Sequence, residues 1–199
     1  MALRGLLSSI KYAQADLKEY LNIERKKYDN VHMSWMLFPV GEQDYIWRYQ
    51  WILRHVEYHK NTNHKIRYVF FNIWHKRLST KLGIHIPQNV CGRGLKIMHV
   101  GPILINGKAK VGENVSLHIN TSIVAHGNNG GVPYIGNGVV LGVGSVVLGN
   151  VKIANNIAIG ANAVVNKSFD EEDIAIAGVP AKKISNKGRT AWAERNNNV

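Results

Sequence analysis

Between Gly138 and Val165 the chain reads GVVLGVGSVVLGNVKIANNIAIGANAVV. Within it Leu141, Val147, Ile153, Ile159 and Val165 stand six residues apart. The same frame extends upstream to Ile135 and, across one gap of twelve, to Ile123, Leu117, Val111 and Ile105. Two positions before these aliphatic residues sit small or β-branched ones: Ala109, Val115, Thr121, Val139, Ser145, Val151, Ile157 and Ala163. Glycine often follows the aliphatic residue, as at Gly112, Gly136, Gly142 and Gly160. A period of six fits neither a helix nor a hairpin-linked strand. It predicts short strands joined by tight corners and wound as a parallel β-coil, three hexads to a turn. The aliphatic residue then points inward, the small one fills the space beside it, and glycine eases the corner.

Upstream of about residue 83 the composition changes. The aromatic patches Trp35–Phe38, Tyr45–Trp51, Tyr68–Phe71 and Trp74 all lie there. Leu6, Leu7, Ile10, Ala13 and Leu17 repeat at helical spacing. A second helix is predicted from Tyr45 to about His59, capped by Asp44, with Ile46, Tyr49, Leu53 and Val56 on its apolar stripe. A third runs from about His64 to Leu82, with Ile66, Val69, Phe70, Ile73 and Trp74 as its apolar side. Its other face carries Lys65, Arg67, Lys76, Arg77 and Lys81, either a solvated basic face or a contact for an anionic membrane or acceptor. The expected division is a helical region over 1–82, a β-coil over 83–185 and a polar tail over 186–199, an α+β chain.

The 199 residues carry a net charge of +12, spread over both halves. Such a chain attracts polyanions, but no reader motif for DNA or RNA is present, and no nucleic-acid partner is expected. A single cysteine, Cys91, excludes a disulfide framework and a cysteine-based zinc site. No apolar run is long enough to span a bilayer, and the start of the chain does not read as a signal peptide, so a cytoplasmic location is expected, free or at the inner face of the membrane.

The repeat, with the segments KLGIHIP (Lys81–Pro87), GLKIMHVGPILING (Gly94–Gly107), VVLGNVKI (Val146–Ile153), IGANAVV (Ile159–Val165) and AGVPAKKI (Ala177–Ile184), resembles the hexapeptide-repeat acyltransferases of the serine acetyltransferase-like branch. Within that branch the chain looks most like the capsule and exopolysaccharide O-acetyltransferases. The resemblance covers about Leu78 to Ile184. It implies a left-handed parallel β-helix behind a helical head, acetyl-CoA as co-substrate, no metal, and a homotrimer or dimer of trimers with sites between neighbours. It also implies acetyl transfer to a hydroxyl, with a saccharide as the acceptor expected here. L-serine and a non-catalytic assembly scaffold are the alternatives.

Such transfer needs a base for the hydroxyl proton, a donor for the oxyanion and a slot for pantetheine. His99 falls six residues before Ile105, where a polar ring interrupts the aliphatic frame, and the resemblance gives the catalytic histidine this place. The serine acetyltransferases pair that histidine with an aspartate where this chain has Gly83. They commonly carry Asp where Met98 stands, and an Arg-His-Pro stretch where Val132-Pro133-Tyr134 stands. These departures put serine in doubt. A backbone carbonyl or an amide such as Asn106 is the expected partner of His99, since Glu113 is the only carboxylate between Glu57 and Asp170. His118, His126, Asn128 and Tyr134 are candidates for the acceptor site, the last three in or beside the break in the frame, Val124–Tyr134. Gly142, Gly144, Gly160, Ala161 and Ala163 would admit the pantetheine arm, although the repeat alone accounts for such glycines. Pro180, Lys182 and Lys183 would lie near the nucleotide, the lysines as point charges. Cys91 has no evident activating neighbour and is not expected to be a nucleophile.

Overall fold

The computed structural model describes residues 14–33, 35–127 and 131–190. Leu6, Leu7, Ile10 and Ala13 of the first expected helix lie outside the described residues. Among the described residues three helices lead: α1 (Gln14–Arg25), α2 (Glu42–Asn61) and α3 (Lys65–Leu82). α2 begins earlier than predicted. Asp44 is not its cap but lies in its first turn, reaching back to accept the N–H groups of Val40 (3.0 Å) and Gly41 (3.2 Å). Ile46, Tyr49, Leu53 and Val56 of α2 are fully buried, as their spacing predicts.

Fourteen strands of the described residues follow, in three sheets. The first holds β1 (Ile84–His85), β3 (Ile103–Ile105), β6 (Thr121–Val124), β9 (Val146–Leu148) and β12 (Val164–Val165). The second holds β4 (Lys110–Val111), β7 (Tyr134–Ile135) and β10 (Lys152–Ile153). The third holds β2 (Lys96–Ile97), β5 (Ser116–Leu117), β8 (Val140–Leu141), β11 (Ala158–Ile159), β13 (Ala175–Ala177) and β14 (Lys182–Ser185). From β2 to β12 the chain visits the third, first and second sheets in turn, always in parallel. Among the described strands only β14 runs antiparallel, to β13. This is a three-sided parallel β-helix. All ten aliphatic residues of the six-residue frame are buried, and so are the eight small or β-branched ones.

The coil length is set by the pairing. Leu141 pairs with Ile159 and Val147 with Val165, eighteen residues on. Leu117 pairs with Leu141 and Val111 with Ile135, twenty-four on, the extra hexad being the loop after β6. Successive corners stack so closely that a Cβ on Gly112 would come within 2.8 Å of the Gly136 carbonyl carbon, and one on Gly136 within 2.8 Å of the Ala154 carbonyl carbon. Close approach, more than torsional freedom, demands glycine there. The left-handed corner positions are shared by asparagine and glycine: Asn120, Gly144 and Asn162 have φ of 60°, 71° and 54° in consecutive coils.

The first coil has no preceding coil to pair with, and such an edge leaves backbone groups unsatisfied. The helical head supplies the partners. Arg54 donates to the carbonyls of Cys91 (3.0 Å) and Gly92 (2.7 Å), and Gln50 to that of Leu95 (2.9 Å). The N–H groups of Ile97, Leu95, Ile86 and Asn89 donate to Tyr28, Glu24, Tyr49 and Glu57. Arg54 is itself held between Glu24 (2.6 Å) and Glu57 (2.8 Å), all three fully buried. One apolar core runs from Tyr28 and Trp47 in the head to Ala181 at the far end of the coil.

α3 differs from its expected orientation. Leu78 and Leu82 are buried, with Tyr68, Phe71 and, of the expected apolar side, Trp74 packed against the core, whereas Ile66, Val69, Phe70 and Ile73 face solvent. The helix is apolar on two sides, and only one can face α2.

Candidate functional site

His99 lies on the corner that joins the third sheet to the first, between β2 and β3. It does not interrupt the aliphatic column as expected. Ile97 occupies that place, paired with Leu117 twenty residues on, so this corner holds two residues more than the later ones. The six-residue interval from His99 to Ile105 is therefore a coincidence of that longer corner. The effect is to put the imidazole outside the prism, with its side chain 54% exposed.

Its partner comes from the helical head. His99 Nδ1 stands 3.3 Å from Glu42 Oε2, and Glu42 Oε1 accepts the Val100 N–H at 2.8 Å. The expected amide does something else: Asn106 Oδ1 accepts the Lys108 N–H within its own turn. A carboxylate can only accept, so this pairing keeps a proton on Nδ1 and leaves Nε2 as the lone-pair nitrogen. Glu42 opens α2, and that end is clasped by Asp44, which also takes the His32 N–H and the His32 ring, both at 2.8 Å. Burial works against the Asp44 charge, but the donors of Val40, His32 and Gly41 outweigh it and hold the carboxyl down at about 2.

One coil on, His118 sets its ring 6.3 Å from that of His99. Burial, with the neighbouring His99 and Lys96, lowers its pKa. The same corner then repeats through Gly142-Val143-Gly144, Gly160-Ala161-Asn162 and Gly178-Val179-Pro180. His99, His118 and most of the expected pantetheine-side residues thus share one edge of the prism. Four coils at the usual strand spacing make that edge ~19 Å long.

Several expected roles change. A Cβ on Gly142 would stand 2.7 Å from the Ile159 carbonyl oxygen, and one on Gly160 2.8 Å from Ala177 Cβ, so coil stacking already requires both glycines. Ala163 lies inside the prism, which takes its side chain away from any ligand. The exposed ledge is formed by Val143 and Ala161. Val143, a larger residue between two corner glycines, was not singled out by the repeat. Lys182 and Pro180 are exposed at the far end of the edge, whereas Lys183 is paired with Glu171 at 2.5 Å. Tyr134 belongs to the second sheet and His126 to the loop after β6, so within one chain neither is on the His99 edge. Asn128 lies outside the described residues. Cys91 is buried, and that burial pushes its thiol up to about 12, which leaves no nucleophile.

Beside the His99 corner a cavity of about 330 Å³ opens on the first sheet, lined by Gly83, His85, Pro102, Ile103, Leu104, Asn120, Thr121 and Ser122. Its polar groups are hydroxyls, an amide and an imidazole, with no carboxylate. Gly83 stands in it with φ of 72°, closing α3.

No protein-family model matches the chain. Among curated proteins it is similar to serine acetyltransferase of Staphylococcus epidermidis, 33% identical over 115 residues, 57% of this chain and 53% of the relative. It is similar also to serine acetyltransferase of Mycobacterium tuberculosis, 36% identical over 110 residues, 54% of this chain and 47% of the relative. The chain spans about half the length of the curated relatives it matches. Among solved structures, serine acetyltransferase in complex with coenzyme A from Brucella abortus aligns with a TM-score of 0.68 and 21% identity, over 94% of this chain and 75% of that one. At that identity the likeness concerns the fold, a helical head followed by a parallel β-coil.

Proposed function

We propose that this chain is an acetyl-CoA-dependent O-acetyltransferase in which His99 is the general base. The observation that carries the reading is the Glu42–His99–Val100 arrangement, which pins one ring nitrogen and leaves the other as acceptor on the edge that also carries the Val143 and Ala161 ledge. The curated relatives, both serine acetyltransferases, support L-serine as the acceptor over the saccharide expected from sequence.

Acetyl-CoA, when bound, supplies the acetyl group as an activated thioester. Its thiol arm would run along Val143 and Ala161, with Lys182 near the phosphates. His99 Nε2 takes the proton of the attacking hydroxyl as the new C–O bond forms. Glu42 stabilises the imidazolium that results. A backbone N–H meets the oxyanion, and Nε2 returns its proton to the departing sulfur. Each proton is accounted for, and no covalent enzyme intermediate is required. The fold left-handed in its coil, a trimer with sites between neighbours, and a cytoplasmic location belong to the same reading.

A saccharide hydroxyl remains a second reading because of one observation. The cavity beside His99 holds Gly83, Asn120, Thr121 and Ser122 and no carboxylate for an ammonium group. Steady-state thiol release from acetyl-CoA separates the readings. Saturable turnover with L-serine supports the first. Turnover with oligosaccharides and none with serine supports the second. No turnover, with no coenzyme A binding by calorimetry, sinks both.

A further inference from the structure

The solvent-facing side of α3 is a surface that acetyl transfer does not use. Ile66, Val69, Phe70 and Ile73 are 88%, 53%, 62% and 49% exposed. Their spacing sets them in one line along the helix. The core-facing side of α3 is already occupied by its packing on α2 and the first coil, with Leu78 and Leu82 buried. Four large apolar side chains in a continuous line exceed the scattered hydrophobics of an ordinary surface.

Charge selects the occupant. α3 carries Lys65, Arg67, Lys76, Arg77 and Lys81 and no carboxylate. In sequence the nearest carboxylates are Glu57, which is buried and held by Arg54, and Glu113. Around the helix Lys65 and Lys76 flank one side of the apolar line, Arg67 flanks the other, and Arg77 continues it. Lys81 lies over the Tyr45 ring. An apolar line edged by cations matches the boundary between acyl chains and anionic headgroups. A second copy of the same face does not fit, because two-fold packing would set these cations against their own equivalents with no carboxylate between them.

We propose that α3 docks the protein on the surface of an anionic bilayer. Ile66, Val69, Phe70 and Ile73 enter the headgroup boundary, and Lys65, Arg67, Lys76 and Arg77 contact lipid phosphates. The docking is peripheral: among the described residues no helix is long and apolar enough to cross a membrane. The inference does not depend on the acetyltransferase reading.

The full-length chain is sedimented with vesicles of phosphatidylcholine alone and of phosphatidylcholine mixed with phosphatidylglycerol. Binding to the mixed vesicles only, weakened by added salt, is expected. Ile66→Ser combined with Ile73→Ser lowers that binding about tenfold or more, and Phe70→Ser alone does the same. Lys65→Gln with Arg67→Gln lowers it while leaving the apolar line intact. Thermal melts matching the parent show that the variants fold. Equal binding to both vesicle types, or variants that bind like the parent, overturns the proposal. So does self-association of the parent that Phe70→Ser abolishes, because the face would then belong to a second copy.

Discussion

Replacing Glu42 by glutamine removes one charge and keeps the shape of the side chain, including an oxygen for the Val100 N–H. Before the reaction Glu42 meets a neutral ring, and an exposed contact of this kind is worth about 0–1 kcal/mol. As His99 takes the proton, the pair becomes ionic at 3.3 Å. Coulomb's law then gives ~1 kcal/mol at the dielectric of water and ~5 kcal/mol at an effective dielectric of about 20. Both side chains are about half exposed, 54% and 46%, which favours the low end of that range. A loss of ~1–2 kcal/mol in the transition state corresponds to a fall of about 5- to 30-fold in kcat. The KM for acetyl-CoA should stay put, since Glu42 is not on the ledge. Glu42→Asp, which restores the charge, should recover part of the rate. In a double-mutant cycle Glu42→Gln should cost nothing further once His99 is alanine. Thiol-release kinetics measures all of this, with a thermal melt to exclude unfolding. A Glu42→Gln enzyme within twofold of the parent, or an equal loss in both backgrounds, would refute the role given to the carboxylate.

Arg54→Leu should destabilise by about 3–5 kcal/mol, because Glu24 and Glu57 would be left buried without their cation. For a chain of this size that is a fall in Tm of roughly 10 °C, and a change under 2 °C would contradict the capping account. Stability should also drop in mild acid. Burial, aided by nearby His85, depresses His75 from an ordinary 6.5 to about 4, so between those values the unfolded chain binds the extra proton. The contribution is present above pH 6.5 and lost as pH falls toward 4, with a limit of about 3 kcal/mol. His75→Phe should flatten the Tm-against-pH curve over that interval, and an unchanged slope would reject the assignment. Gly112→Ala should destabilise the coil or block its folding, since the added Cβ meets the Gly136 backbone at 2.8 Å; a melt unchanged from the parent would count against the stacking argument.

The coil is legible because its inward residues repeat against a fixed frame, and all eighteen positions named from that frame are buried, although Ile97, Ile103, Val140 and Ile176, buried too, are not marked by it. The site was legible only in part. His99 was found through a frame that it does not in fact occupy, since two added corner residues restore a six-residue interval by chance. Glu42 is not marked by the repeat of the coil, because it sits 57 residues upstream of His99 on another element. No periodicity links the two, and only tertiary packing brings them together. Of the expected apolar side of α3, Trp74 packs against the core while Ile66, Val69, Phe70 and Ile73 face solvent, because the spacing of hydrophobic residues shows a stripe but not what covers it. The asparagines at left-handed corners went unread, although Asn120 and Asn162 alternate with Gly144 at coil intervals.

The central claim is that His99 activates a hydroxyl for attack on acetyl-CoA. Labelled acetyl-CoA incubated with the parent and with His99→Ala, against L-serine and a panel of glycans, tests it most directly. The account predicts label on an acceptor hydroxyl with the parent and at least a hundredfold less with the variant, about the contribution expected of a positioned base. Label transferred equally by both proteins would contradict it.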